Sequence, residues 1–324
     1  MNGASAAASA GDPACIRVRN VTYRYRRALR EALHDINIDI ERGSIFGLLG
    51  PNGAGKSSLL GLLSGSLALQ SGAIAIDDAA FPKDARRIKQ TSAVVPQDYA
   101  FYEDLSGREN LDYFAGTHGL SRAHSVSRIA ECARVCRLTE VLTQRAGDYS
   151  GGLKRRLNMA IGLLNEPRIL YLDEPTVGID AESRRTLIAA IRELRGSGVT
   201  IVYTSHYMEE VEQLCDAIAV IDRGRVLLQG RMDELLQREG EKALFVRLKN
   251  PTEQLLTPLI RFHAEHVGFR DWTMAVTLEQ LPEVLGVVAQ HGGQIERLQH
   301  GVSRLEKIYL QLLARADSFE GIES

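Results

Sequence analysis

The run Gly50-Pro51-Asn52-Gly53-Ala54-Gly55-Lys56-Ser57 fits the pattern G-x-x-x-x-G-K-[ST]. Its glycines let successive backbone N–H groups wrap an anion, at the positive end of the dipole of the helix that follows. Lys56 is placed to set its ammonium between the β- and γ-phosphates of a nucleoside triphosphate, and the Ser57 hydroxyl to ligate Mg²⁺. A chance glycine-rich loop would lack the context seen here. An apolar strand pattern ends at Leu49, and the apolar helical run Ser58–Gly65 comes after.

The stretch "ILYLDEP" supplies carboxylates. Asp173 ends an apolar strand pattern, from where it can reach Mg²⁺ through water. Glu174, one residue on, can orient or deprotonate a water aimed at the γ-phosphate, a role worth roughly 10²–10⁴ in rate. The plain alternative is an acidic pair capping the next helix, for which Asp180 is also available. His206, just past the apolar "TIVYTS", is a candidate for γ-phosphate contact, and the amide of Gln97, after "AVVP", for Mg²⁺ or the attacking water. Each would be unremarkable alone; together they end strands of one sheet.

A second anion-facing feature is "DYSGGLKRRL". Ser150 can N-cap a helix whose apolar face is Leu153, Leu157, Ala160, Ile161 and Leu164. Its hydroxyl and the N–H groups of Gly151 and Gly152 then point outward. One chain with one phosphate loop has no evident use for that second site.

These residues need a scaffold. In "LHDINIDIE" the residues Ile36, Ile38 and Ile40 alternate with polar neighbours, as in a half-buried strand. "SIFGLL", "ILYLD", "TIVYTS" and, more briefly, "AVVPQ" are apolar on both faces, as in strands covered on both sides. Helical stretches intervene, which predicts an α/β domain over 16–230 with a largely parallel central sheet. Residues 98–149 read as a polar helical insertion, and "AIAVIDRGRVLLQG" as a closing hairpin with Arg223-Gly224 at its turn. Over 231–316 short alternating stretches and two helical patterns predict a small α+β accessory domain. Residues 1–15 and 317–324 read as tails.

The chain has 324 residues, 44% hydrophobic and 25% charged, with a formal charge of −2, which gives no electrostatic reason to expect nucleic acid. Basic Lys154-Arg155-Arg156 reads as a solvated helix face. Cys15, Cys132, Cys136 and Cys215 lack a zinc-ligand spacing and read as small buried hydrophobes in a reducing compartment. The N-terminus lacks a signal-peptide pattern, and no run of about 18 apolar residues occurs.

The order phosphate loop, Gln97, "YSGG", "LDEP", Asp180, His206, with Tyr25 ahead of the loop, resembles the nucleotide-binding subunit of the ATP-binding cassette (ABC) superfamily. Within it, "FGLLGPNGAGKSS", "YSGGLKRRL", "LDEPTVGID" and "VSRLEKIYLQLL" look most like the ATPase subunits of daunorubicin/multidrug-type exporters. The resemblance implies a P-loop NTPase cassette, a RecA-like core with antiparallel β and helical subdomains. It implies that Tyr25 stacks on adenine, that Gly50–Ser58 cradle Mg·ATP, and that Lys56, Ser57, Gln97, Asp173, Glu174 and His206 act as above. It further implies that Ser150 and Gly152 touch the γ-phosphate held by a second, head-to-tail copy, with Asp180 at the seam. A membrane permease would dock on about 98–116, where Tyr99, Phe101 and Tyr102 cluster, holding the chain at the cytoplasmic face of the membrane. Two departures stand out. Tyr149 and Leu153 replace the outer residues of the usual L-S-G-G-Q signature, and Ser57-Ser58 stands where Thr-Thr is frequent. Rival readings are a soluble ABC ATPase of translation or DNA maintenance, which usually carries two cassettes or a coiled-coil insertion, and a nucleotide-gated regulator that barely hydrolyses.

Overall fold

The computed structural model describes residues 14–237, 243–249, 258–268, 270–274, 276–277, 279–302 and 305–312. Residues 1–13 and 317–324, expected to be tails, lie outside them, and the first strand already begins at Ala14. The chain divides into two compact units. One comprises the residues up to 206 together with 214–229; the other comprises 207–213 and the residues from 230 onward. The sequence pattern placed that change at 231 and left 207–213 with the first part.

The first unit is built on a six-stranded sheet. Its strands are β3 (Ile45–Leu49), β6 (Ser92–Val95), β7 (Ile169–Leu172), β8 (Thr200–Ser205), β9 (Ala217–Asp222) and β10 (Arg225–Arg231), in the order β10-β9-β3-β8-β7-β6. β3 runs parallel to β8 and β9, and β7 parallel to β6 and β8. Every residue of β3, β7 and β8 is buried, which is why these segments read as unbroken apolar runs. The register pairs Leu49 with Ser205, Leu172 with Tyr203 and Val95 with Leu172. The chain therefore leaves β3, β6, β7 and β8 at one edge, each time with a candidate site residue within two positions: Gly50, Gln97, Asp173 and His206.

An antiparallel sheet, order β2-β1-β4-β5, uses β1 (Ala14–Tyr23), β2 (Leu33–Glu41), β4 (Ala73–Ile76) and β5 (Ala79–Ala80). Ile36, Ile38 and Ile40 of β2 are buried in one core with Phe46, Leu48, Tyr171, Val202 and Leu59. Each such isoleucine contributes about 1.5–3 kcal/mol relative to exposure. Leu59 lies on α1 (Lys56–Leu63), whose buried face anchors the start of the helix at the phosphate loop.

Beyond the short helix α2 (Ala85–Thr91), the expected insertion forms α3 (Gly107–Thr117) and α4 (Arg122–Val135), which pack against α5 (Gly151–Leu163). Ser106 and Glu109 make a reciprocal capping box at the start of α3. On α5 the residues Leu157, Ala160 and Ile161 are buried as the periodicity predicted, as is Leu164 just beyond its end. Leu153 is a correction. It is only half-buried and lines a surface cavity, on the side of the first turn of α5 that Ser150 also borders.

The second unit contains an antiparallel sheet in which Ala243–Leu248 is flanked by Asp271–Met274 and Ile295–Val302, with Glu265–Gly268 at one edge. Helix Leu281–Gln290 contributes Val284, Val287 and Val288 to a core with Leu244, Val246, Leu248 and Met274. A helical segment over 305–312 places Leu310 against Phe245, and Lys307 pairs with Glu265 at 2.7 Å.

Candidate functional site

The phosphate loop runs from β3 into α1 and is held from within. Lys56 Nζ donates to the carbonyl oxygens of Gly50 at 2.8 Å and Pro51 at 3.0 Å, and Ala54 N–H donates to Pro51 O. The backbone approaches closely here: a Cβ on Gly55 (φ 110°) would lie 2.7 Å from Ala32 O, which only glycine avoids. Lys56 is 5% exposed. Burial pushes its pKa down from 10.5, and the nearby Glu174 and Asp173 carboxylates pull it back up.

A cleft of about 430 Å³ opens on this loop. Asn52, Gly53, Gly55, Lys56, Ser57 and Ser58 line it from the loop, and Tyr25, Gln97 and Glu174 from elsewhere. Tyr25, half-exposed after β1, packs edge-on against Tyr23 at 5.0 Å and bonds through its hydroxyl to Ser58 Oγ at 3.0 Å. That leaves an aromatic face at the cleft, suited to stacking on a planar base. Ser58 thus works on Tyr25, while Ser57 is exposed.

Glu174 is 8% exposed, 3.7 Å from Lys56 Nζ and 3.6 Å from His206 Nδ1. Its backbone is left-handed, φ 46°, a conformation that costs a non-glycine residue about 1 kcal/mol. Thr204 sustains it: the Glu174 N–H donates to Thr204 Oγ1 at 2.8 Å, and that hydroxyl donates to Asp173 Oδ1 at 2.8 Å. Sequence reasoning missed Thr204; a hydroxyl residue in a buried strand, two positions before His206, was the available signal. Ser57, Gln97 and Asp173 offer hydroxyl, amide and carboxylate oxygens, hard donors of the kind that Mg²⁺ takes alongside phosphate oxygens and water.

Ser150 and Asp180 belong elsewhere. They line a separate cavity of about 770 Å³ with Arg137, Leu153, Arg156 and Ser183. Ser150 is exposed and caps α5, accepting from Leu153 N–H at 3.3 Å while its O–H remains a donor. Gly151 is exposed too. Gly152, expected to face outward, is instead buried, where a Cβ would lie 1.9 Å from Ser183 Oγ. Asp180 caps α6 (Ala181–Gly196) through Ser183 N–H at 2.9 Å, and that bond holds its carboxyl below the usual range. The capping reading of both residues is therefore met, yet both still face the cavity.

Four further expectations meet the structure here. Tyr149, in place of the usual leucine, is buried and donates from its hydroxyl to Val141 O at 2.6 Å. In the segment 98–116, Tyr99, Tyr102 and Tyr113 are exposed, and Tyr102 and Tyr113 pack edge-on at 5.0 Å. Arg155, read as a solvated cation, is instead 8% exposed inside the fold. The four cysteines are buried; burial pushes the Cys132 thiol up to about 11 and Cys136 well above its usual value.

Comparison with known proteins bears on the same residues. The profile of the family described as ABC transporter matches residues 33–177. The linearmycin resistance ATP-binding protein LnrL of Bacillus subtilis is 33% identical over 288 residues, 86% of this chain and 93% of that protein. The daunorubicin resistance ATP-binding protein DrrA3 of Streptomyces coeruleorubidus is 36% identical over 220 residues, 68% of this chain and 70% of that one. Among solved structures, cbiO1 from Clostridium perfringens, described as part of the ABC transporter complex cbiONQ, superposes with a TM-score of 0.64 at 28% identity. That match covers 70% of this chain and 92% of that one.

Proposed function

Because this chain belongs to the ABC transporter family as an ATP-binding, ATP-hydrolysing subunit of the exporter type, we propose that two copies clasp head to tail around two ATP molecules and drive a separate membrane permease. The observation that carries the proposal is the separation of two anion-facing features on one chain. Lys56 and Glu174 border one cleft, whereas Ser150 opens on another cavity. Ser150 is then the donor for the γ-phosphate of the neighbour's ATP, and Asp180 lies at the seam.

Within its own cleft the chain stacks adenine on Tyr25 and wraps the phosphates with the Gly50–Ser58 loop, with Lys56 between the β- and γ-phosphates. Ser57, Gln97 and Asp173 are the residues to hold Mg²⁺, which supplies charge neutralisation on the phosphates when bound. Glu174 orients the attacking water and takes its proton as the bond from the γ-phosphorus to the bridging oxygen breaks, releasing ADP and phosphate. His206 steadies the γ-phosphate. The aromatic segment 98–116 receives the permease, which keeps the chain at the cytoplasmic face of the membrane. Among the described residues no helix is long and apolar enough to cross a membrane. The relatives' resistance and export roles favour this reading over a transport-independent ATPase.

The test is Ser150→Arg. ATPase activity falls to background, a loss of about 10²-fold or more, while equilibrium ATP binding by the dilute chain persists. Parallel loss of both would put Ser150 in its own chain's pocket and refute the clasp.

A further inference from the structure

Two buried polar side chains on α5, Arg155 and Asn158, have no part in the chemistry above. Asn158 is 3% exposed, and its amide grips the backbone on both sides of Gln97. Its oxygen accepts from Ala100 N–H at 2.9 Å, and its nitrogen donates to Pro96 O at 3.0 Å and Asp98 O at 3.3 Å. One turn earlier, Arg155 donates to the carbonyl of Gln97 itself and, at 3.3 Å, to the carbonyl of Val177 in the loop from Glu174 to Asp180. Its guanidinium lies 4.9 Å from the Tyr99 ring centroid. The partners are two carbonyls and an aromatic face rather than a carboxylate, and Nε is buried without a partner.

Stability does not select such a group. A buried cation without a counter-ion is costly to desolvate, and an apolar side chain of similar volume usually holds a helix as well. What a planar fork adds is geometry: two donors at fixed separation fix the distance between two backbone segments. Here those segments carry Gln97 and Glu174, which border the chain's own cleft, while the helix bearing the fork begins at Ser150.

We propose that Arg155, seconded by Asn158, is a positioning residue that locks Gln97 and the Glu174–Asp180 loop in register with Ser150, so that the nucleotide in a chain's own cleft governs how well Ser150 is presented to the neighbour's. The inference rests on the two-chain reading. α5 is then the strut through which the two nucleotides sense each other.

The experiment reads dimerisation apart from turnover by using Glu174→Gln, with molecular mass measured by light scattering against ATP concentration. The Glu174→Gln chain dimerises with ATP. Adding Arg155→Met raises the ATP needed for half-dimerisation by about tenfold or more, the scale on which supporting residues act. Binding of a fluorescent ATP analogue to the dilute single chain changes by less than about twofold. Arg155→Lys, a point donor that reaches one carbonyl but not both, falls between. In chains retaining Glu174, Arg155→Met brings the Hill coefficient of ATP hydrolysis towards about 1. Dimerisation of the double variant at the parent's ATP concentration overturns the strut, as does loss of analogue binding in step with dimerisation. If Arg155→Met does not fold, Arg155→Lys decides on the same two readouts. A Glu174→Gln chain that binds the analogue yet stays monomeric overturns the two-chain reading itself, a distinguishable result.

Discussion

Thr204 shows how much a single hydroxyl can organise. It fixes the amide of Glu174 and one oxygen of Asp173 at once. Thr204→Val keeps the shape and removes both bonds. It should lower kcat about 10–100-fold, as removal of a supporting partner does, with ATP affinity little changed; a fall confined to ATP affinity would speak against this role. The buried Glu174 N–H left unpaired costs about 1–3 kcal/mol of stability, readable as a lower urea midpoint. The residues proposed to touch substrate were legible in the sequence because their chemistry needs particular types at particular spacings: Lys56 after glycines, Glu174 after Asp173. Thr204, Arg155 and Asn158 were not, because their partners are backbone groups or carboxylates brought near only by folding. A cation beside two others reads as surface until the fold encloses it.

At the scale of elements, β3, β7 and β8 were plain because burial on both faces leaves an apolar run, and β2 because its isoleucines alternate. The two-residue β5 and the edge strand Glu265–Gly268 were not, being too short for a period to register. The start of α5 is a case where neighbouring elements decide. Tyr149 fits only because Gly107, at the start of α3, has no side chain: a Cβ there would lie 2.3 Å from the Tyr149 hydroxyl. Gly107→Ala should therefore destabilise the protein by about 1–3 kcal/mol through overpacking. Gly107→Ala with Tyr149→Leu should recover part of that loss in a double-mutant cycle of denaturant unfolding. Strict additivity would mean that the two residues do not meet in solution.

The whole molecule poses a question of number. Lys56 and Ser150 line separate cavities, so under the proposed clasp a solitary chain would lack one wall of its reaction chamber. ATP hydrolysed per molecule should fall as the chain is diluted, approaching proportionality to concentration once most copies are single. A rate per molecule that stays flat down to a demonstrably monomeric sample would sink the clasp. The second unit has a sheet and a core of its own, with Arg247 and Asp271 joined across strands at 2.6 Å and 2.8 Å.

One last property follows from the four enclosed thiols: all are buried, and burial pushes the Cys15, Cys132 and Cys136 thiols up, away from the reactive thiolate form. Thiol-alkylating reagents should therefore modify these four residues slowly while the chain is folded. A cysteine introduced at its surface should react well ahead of these four, which makes the chain a quiet background for spectroscopic tags that would test the proposed clasp.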